Sequence, residues 1–244
     1  MNTNFVLDKS TDAYIIRSLL QDQNDPAGRY GRAESMGINQ EQADRIAAAQ
    51  SYEEIQDYLD GLADERYRIF HEEIDKKKKD LKDLWETIEE NSFYKSVVSF
   101  TNLGWEFNEY KVIVSAFHGG TAADSGEKTI CISAWMDTKT ASRTFAHELL
   151  MTLFYQTISI ASEEAKRDSN NYYFATFEIL SALIIDRLNG EYQWWGKEIT
   201  ESINLSNYPE SMQLILEDFR NSSELPADFN DLFEAVLQEV KDKT

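Results

Sequence analysis

Within FAHELLMTLF (residues 145–154), an imidazole, His147, and a carboxylate, Glu148, stand side by side in an otherwise apolar run. Residues four apart on an α-helix stack on one face. Two imidazoles at that spacing can grip one zinc ion, while a carboxylate beside the first reaches the metal-bound water as general base. Here the fourth successor of His147 is Met151. A thioether is a neutral, soft donor, better suited to Cu(I) than to Zn²⁺. A zinc site in this chain therefore lacks one strong ligand.

The setting makes the pair notable. Ala141, Phe145, Ala146, Leu149, Leu150, Leu153, Phe154 and Ile158 make the surrounding helix apolar nearly all round, which predicts an interior helix. Imidazole and carboxylate midway along such a helix are costly unless paired, hydrogen-bonded or put to use. The same anomaly recurs at Glu178 inside YYFATFEILSALII, where the next charge is Asp186. Two apolar helices with polar groups at mid-length point to a shared polar site.

Other candidates read more blandly. His71 in IFHEEID also starts a His-Glu pair, but its fourth successor is Asp75 and its helix is highly charged, so it is expected at the surface. His118 in AFHGGT falls at a strand end, where it could line a cleft or supply a substitute ligand; a hydrogen-bonded loop histidine is the plainer reading. Cys131 lies in the apolar run TICISAW, as an inert buried thiol would. The tryptophans of EYQWWGKE are expected to pack in the core or cap a helix.

The elements that must position these residues follow from periodicity and caps. AYIIRSLL supplies the apolar stripe of a first helix after Thr11, and QNDPAGRYGRAESMG reads as a loop. Asn39 with Gln42, and Ser51 with Glu54, are capping boxes. From Ala63 to about Glu90 the apolar spacing predicts one long amphipathic helix, with DKKKKD on its solvated face. YKVIVSAF (110–117) and KTICISAW (128–135) are rich in β-branched residues and short enough for strands. HGGTAADSGE supplies the turn between them. Asp137 is the expected cap of the His147 helix, Asn189-Gly190 ends the Glu178 helix, and SMQLILEDF and FNDLFEAVLQEV follow as shorter helices. The fold class is α+β and predominantly helical.

Composition narrows the partners. With 42% hydrophobic and 12% aromatic residues, the 244-residue chain can bury a real core. Its 44 acidic against 24 basic side chains give a net charge of −20, which repels nucleic-acid phosphates and anionic lipid surfaces. A single cysteine excludes an intramolecular disulfide and a cysteine-based zinc site. The N-terminus lacks signal-peptide features and no apolar run is long enough to span a bilayer. A cytoplasmic protein with a peptide or protein partner, and no nucleic-acid or membrane partner, is the expectation.

The order TICISAW, SRTFAHELLMTLF, YYFATFEILSALIIDRL resembles the zincin-type metallopeptidases, in particular their glutamate-ligand branch, the gluzincins. In that family a strand along the substrate cleft precedes the H-E-x-x-H helix, and a later helix donates a glutamate as third zinc ligand. The resemblance covers roughly residues 105–190. It implies a zinc cofactor, with His147 as first ligand, Glu148 as general base and Glu178, 31 positions on, as third ligand. Glu163 and Glu164 are alternatives for that ligand, in a segment that reads as an exposed loop. It also implies a zincin-like domain over residues 105–244, with its small sheet ahead of the His147 helix, behind an N-terminal helical region over 1–104. Met151 departs from the pattern. Three functions follow as expectations: an impaired zinc peptidase, a pseudopeptidase serving as a binding module, or an acidic helical protein that engages a basic partner.

Overall fold

A computed structural model describes residues 2–21, 26–90, 92–105, 109–117, 121–124, 129–159, 162–168, 170–196, 209–222 and 225–243. The chain is mostly helical with one small sheet. It separates into two compact units, one of residues 2–84 and 109–141, the other chiefly of residues 85–108 and 142–244.

The first unit holds the sheet. Among the described residues its strands are β1 (Asn2–Val6), β2 (Glu109–Ser115), β3 (Thr121–Asp124) and β4 (Thr129–Ser133), in the order β1-β2-β4-β3. β1 runs parallel to β2, pairing Asn2 with Glu109 and Val6 with Ile113; β2 runs parallel to β4, pairing Lys111 with Thr129. β3 is antiparallel to β4. All five residues of β4 are buried, and an unbroken apolar run is what a strand covered on both faces requires. Two features depart from the sequence reading. Asn2–Val6, to which the sequence reading assigned no element, form a strand, and the expected turn after β2 contains β3. Neither strand shows two-residue periodicity strong enough to announce itself without its partner.

The helices of this unit are α1 (Lys9–Gln21), α2 (Pro26–Ser35), α3 (Gln40–Ala48), α4 (Tyr52–Ile69) and the first part of α5 (His71–Glu90). Asn39 and Gln42 form the full capping box. Ser51 caps α4 through the Glu54 amide at 3.3 Å, but the Glu54 carboxylate reaches back one residue further, to the Gln50 amide at 2.9 Å. The segment expected as a loop contains α2, with Pro26 at the first position, where its missing N–H costs nothing. The single long helix expected from Ala63 to Glu90 is instead α4 and α5, separated at Phe70 (φ −115°, ψ 24°). Phe70 meets the Trp135 ring edge-on at 5.1 Å; apolar spacing cannot foresee that tertiary contact.

Two polar clusters fasten this unit. Asp12 on α1 is wholly buried and accepts bonds from the Ser115 hydroxyl, the Tyr67 hydroxyl (3.0 Å) and the Ala116 amide (3.2 Å). The Ala116 carbonyl in turn accepts from Arg66 Nε (3.1 Å) and Trp135 Nε1 (2.9 Å). Arg66 also donates to the Gly37 carbonyl at 3.4 Å. Gly37 sits at φ +67°, a conformation that favours glycine, and a Cβ there would come within 2.5 Å of the guanidinium, which would have to shift.

The second unit is helical. After the end of α5 it contains α6 (Phe93–Thr101), most of α7 (Thr138–Phe154), a π-helical turn (Tyr155–Ser159), α8 (Glu163–Lys166), α9 (Tyr172–Tyr192), α10 (Glu210–Asn221) and α11 (Phe229–Lys243). Trp85, Phe93, Phe145 and Phe154 are buried here, with Trp85 edge-on to Phe145 at 4.5 Å. Trp195, from the double tryptophan, is fully buried, its indole donating to the Ser142 hydroxyl at 3.1 Å. α9 runs two residues past Gly190 and ends at Gln193 in the left-handed region.

Candidate functional site

α7 starts where the sequence placed its cap: Asp137 accepts from the Thr140 amide at 3.0 Å. Ala141, Phe145, Ala146, Leu149, Leu150, Leu153 and Phe154 are all buried, as an interior helix requires. α9 is buried without a break from Ala175 to Ile185. Polar groups on these helices have little water to turn to, so they find each other.

His147 and Glu178 meet: imidazole Nε2 lies 2.9 Å from carboxylate Oε2, and the two residues are only 6% and 5% exposed. A carboxylate only accepts, so Nε2 is the donor. Burial disfavours the imidazolium, but the hydrogen bond to Glu178 and its charge, helped by the charge of Glu148, outweigh it and hold His147 above the ordinary histidine range. Nδ1 is buried and, among the described residues, has no hydrogen-bond partner. Met151, one turn along α7, is buried, and Glu148 is half-buried.

The remaining candidates are dispersed. Glu164, on the short helix α8, accepts from the Tyr173 hydroxyl at 3.2 Å. Glu163 begins that helix, so one helical turn stands in the segment read as a loop. His71 is exposed at the start of α5, 3.9 Å from Glu72. His118 lies outside the described residues. Cys131 is buried, and burial first, then the charge of Asp12, pushes its thiol up, away from the reactive thiolate.

Sequence reading missed three neighbours of the pair. Arg143, one turn before His147, is 3% exposed and binds Asp186 at 2.8 Å; Arg220 of α10 binds the other oxygen of Asp186 at 2.8 Å. Two polar bridges therefore join α7 to α9: His147 to Glu178, and Arg143 to Asp186. The third neighbour is Tyr155, in the π-helical turn, whose hydroxyl pKa is raised by burial and then by the charge of Glu178. The signal was present, since Arg143, His147, Met151 and Tyr155 recur every four residues. Its meaning needed the partner helix.

Ligand atoms each about 2 Å from one ion stand roughly 3 Å apart, so the Nε2–Oε2 spacing suits either a shared proton or a shared ion. Among the described residues, however, no three histidine, cysteine, aspartate or glutamate side chains gather as a metal-binding group. The donor set of one imidazole, one carboxylate and the thioether position does not complete a zinc site. The chain was compared with known protein families, curated proteins and solved structures, and it matches none of them.

Proposed function

We propose that this chain is a zincin-like, metallopeptidase-related protein in which Met151 has taken the place of the second histidine ligand, leaving it catalytically impaired and serving to bind peptide or protein. The observation that carries this reading is the approach of His147 to Glu178 from two successive interior helices that follow a β-strand. The order β4, α7, α9 is the order the family resemblance implies, with β3 as an antiparallel edge. The hydrogen bond from Nε2 to the Glu178 carboxylate ties the two helices together. Glu148 stands beside the pair as the residue that, in an active relative, would take a proton from water.

The test is metal content. After dialysis the unaltered protein is expected to retain little zinc, whereas Met151→His, which adds an imidazole on the same helical face, is expected to retain zinc stoichiometrically by elemental analysis. Hydrolysis of a casein substrate gained by Met151→His is expected to vanish when Glu148→Gln is added. Tight zinc in the unaltered chain, or none in Met151→His, would overturn the proposal.

A second reading, an acidic helical protein for a basic partner, is favoured by the net charge of −20. It predicts binding that weakens steeply with salt and is indifferent to Met151→His.

A further inference from the structure

In the helical unit, a cleft of about 520 Å³ opens against α6 and α9, within the size range of small-molecule sites, roughly 300–1,000 Å³. Each helix lines it with side chains one turn apart. α6 presents Lys95 with Ser99 and Ser96 with Phe100; α9 presents Arg187 with Glu191 and Leu188 with Tyr192. Asp228, just before α11, completes the lining. The Arg187 guanidinium lies over the Phe100 ring, 4.2 Å from its centre, and the Ser96 hydroxyl donates to the Tyr192 hydroxyl at 3.1 Å. Stacking on a ring holds a guanidinium in place while leaving its N–H edges open to a partner in its plane.

The charges of this cleft are uncommitted. Among the described residues, Lys95, Arg187 and Glu191 form no ion pair, with one another or with any neighbour. Asp228 spends one oxygen on the Asn230 amide, at 2.8 Å, in capping α11. Positive and negative groups thus line one small cleft without neutralising each other. We propose that it binds a small zwitterion of the free amino acid or short peptide class. The ligand's carboxylate is received by Arg187 with Lys95 and the Ser99 hydroxyl, and its ammonium by Glu191 and Asp228. A simple anion is disfavoured by the field of a chain carrying −20 charges. A simple cation would leave Arg187 and Lys95 unanswered. This site is independent of the function proposed for His147.

Amide resonances of the isotopically labelled full chain, titrated with diglycine, N-acetyldiglycine and diglycine amide, test the proposal. Diglycine is expected to give saturable shifts confined to residues 95–100, 187–192 and 227–228. Each capped analogue, lacking one charge, is expected to bind at least tenfold more weakly, and Arg187→Gln to weaken diglycine by a similar factor. Arg187 is exposed, so this variant should fold, which the unchanged remainder of its spectrum would show. No saturable shift with millimolar diglycine, equal binding of the three compounds, or an unaffected Arg187→Gln would each overturn it.

Discussion

Asp12 is wholly buried and has no cation among its hydrogen-bond donors, which are two hydroxyls and an amide. Burial dominates, and its carboxyl is pushed up to about 6 despite those three bonds. The sign for stability follows. Above that value the carboxylate is ionised in both folded and unfolded chains, and its charge is held in the core at a cost. As pH falls through about 6 the folded chain takes up the proton first, so stability rises until the unfolded carboxyl also protonates near its ordinary value. Asp12→Asn has no proton to exchange. From about pH 7 to about pH 4.5, the unaltered protein should gain about 2 kcal/mol relative to this variant, measured as the difference in urea unfolding free energies. A difference that stays constant with pH would mean that Asp12 titrates as an ordinary carboxylate.

At the scale of elements, α7 and α9 are two apolar helices joined by polar bridges. His147 meets Glu178; one turn earlier on α7 and two turns later on α9, Arg143 meets Asp186, which Arg220 of α10 also holds. Apolar side chains slide past one another more readily than ion pairs break, so these bridges fix the register that brings imidazole to carboxylate. Asp186→Asn would leave the buried Arg143 guanidinium facing another cation without a carboxylate between them. It is expected to lower stability by about 3–5 kcal/mol, read from chemical denaturation. A cost under about 1 kcal/mol, typical of exposed pairs, would show that the triad is better solvated than its burial indicates. The fall should exceed that of exposed pairs such as Lys76–Asp80.

Over the whole molecule the excess of acid dominates. Twenty net negative charges repel one another along the folded chain, and salt screens repulsion between exposed charges over about 10 Å at 0.1 M. The surface pairs on α5, such as Lys79 with Asp83, weaken with salt as well, but they are few and each contributes little. The thermal midpoint should therefore rise when sodium chloride is raised from low to physiological concentration. A midpoint that falls would mean that local ion pairs outweigh the global field. Among the described residues no helix is long and apolar enough to cross a membrane.

Local physics made much of this chain legible in its sequence. The Asn39 capping box, the Asp137 cap, the strands at 109–115 and 129–133, the two interior helices and the pair of helices that follow all rest on neighbours within a few residues. His147 and Glu178 stood out because a polar or charged group in an apolar run needs a partner. Tertiary structure alone decided the rest. β1 is a strand because β2, more than a hundred residues away, offers its edge. The helix expected across Phe70 divides where that ring meets Trp135, and α2 forms in a segment whose glycines and proline read as a loop. Arg143 and Asp186 looked like ordinary charges until the packing of α7 on α9 buried them together. Propensity and periodicity act over a turn or two of chain; pairing, burial and ion bridges depend on which distant segment arrives, and only the folded chain specifies that.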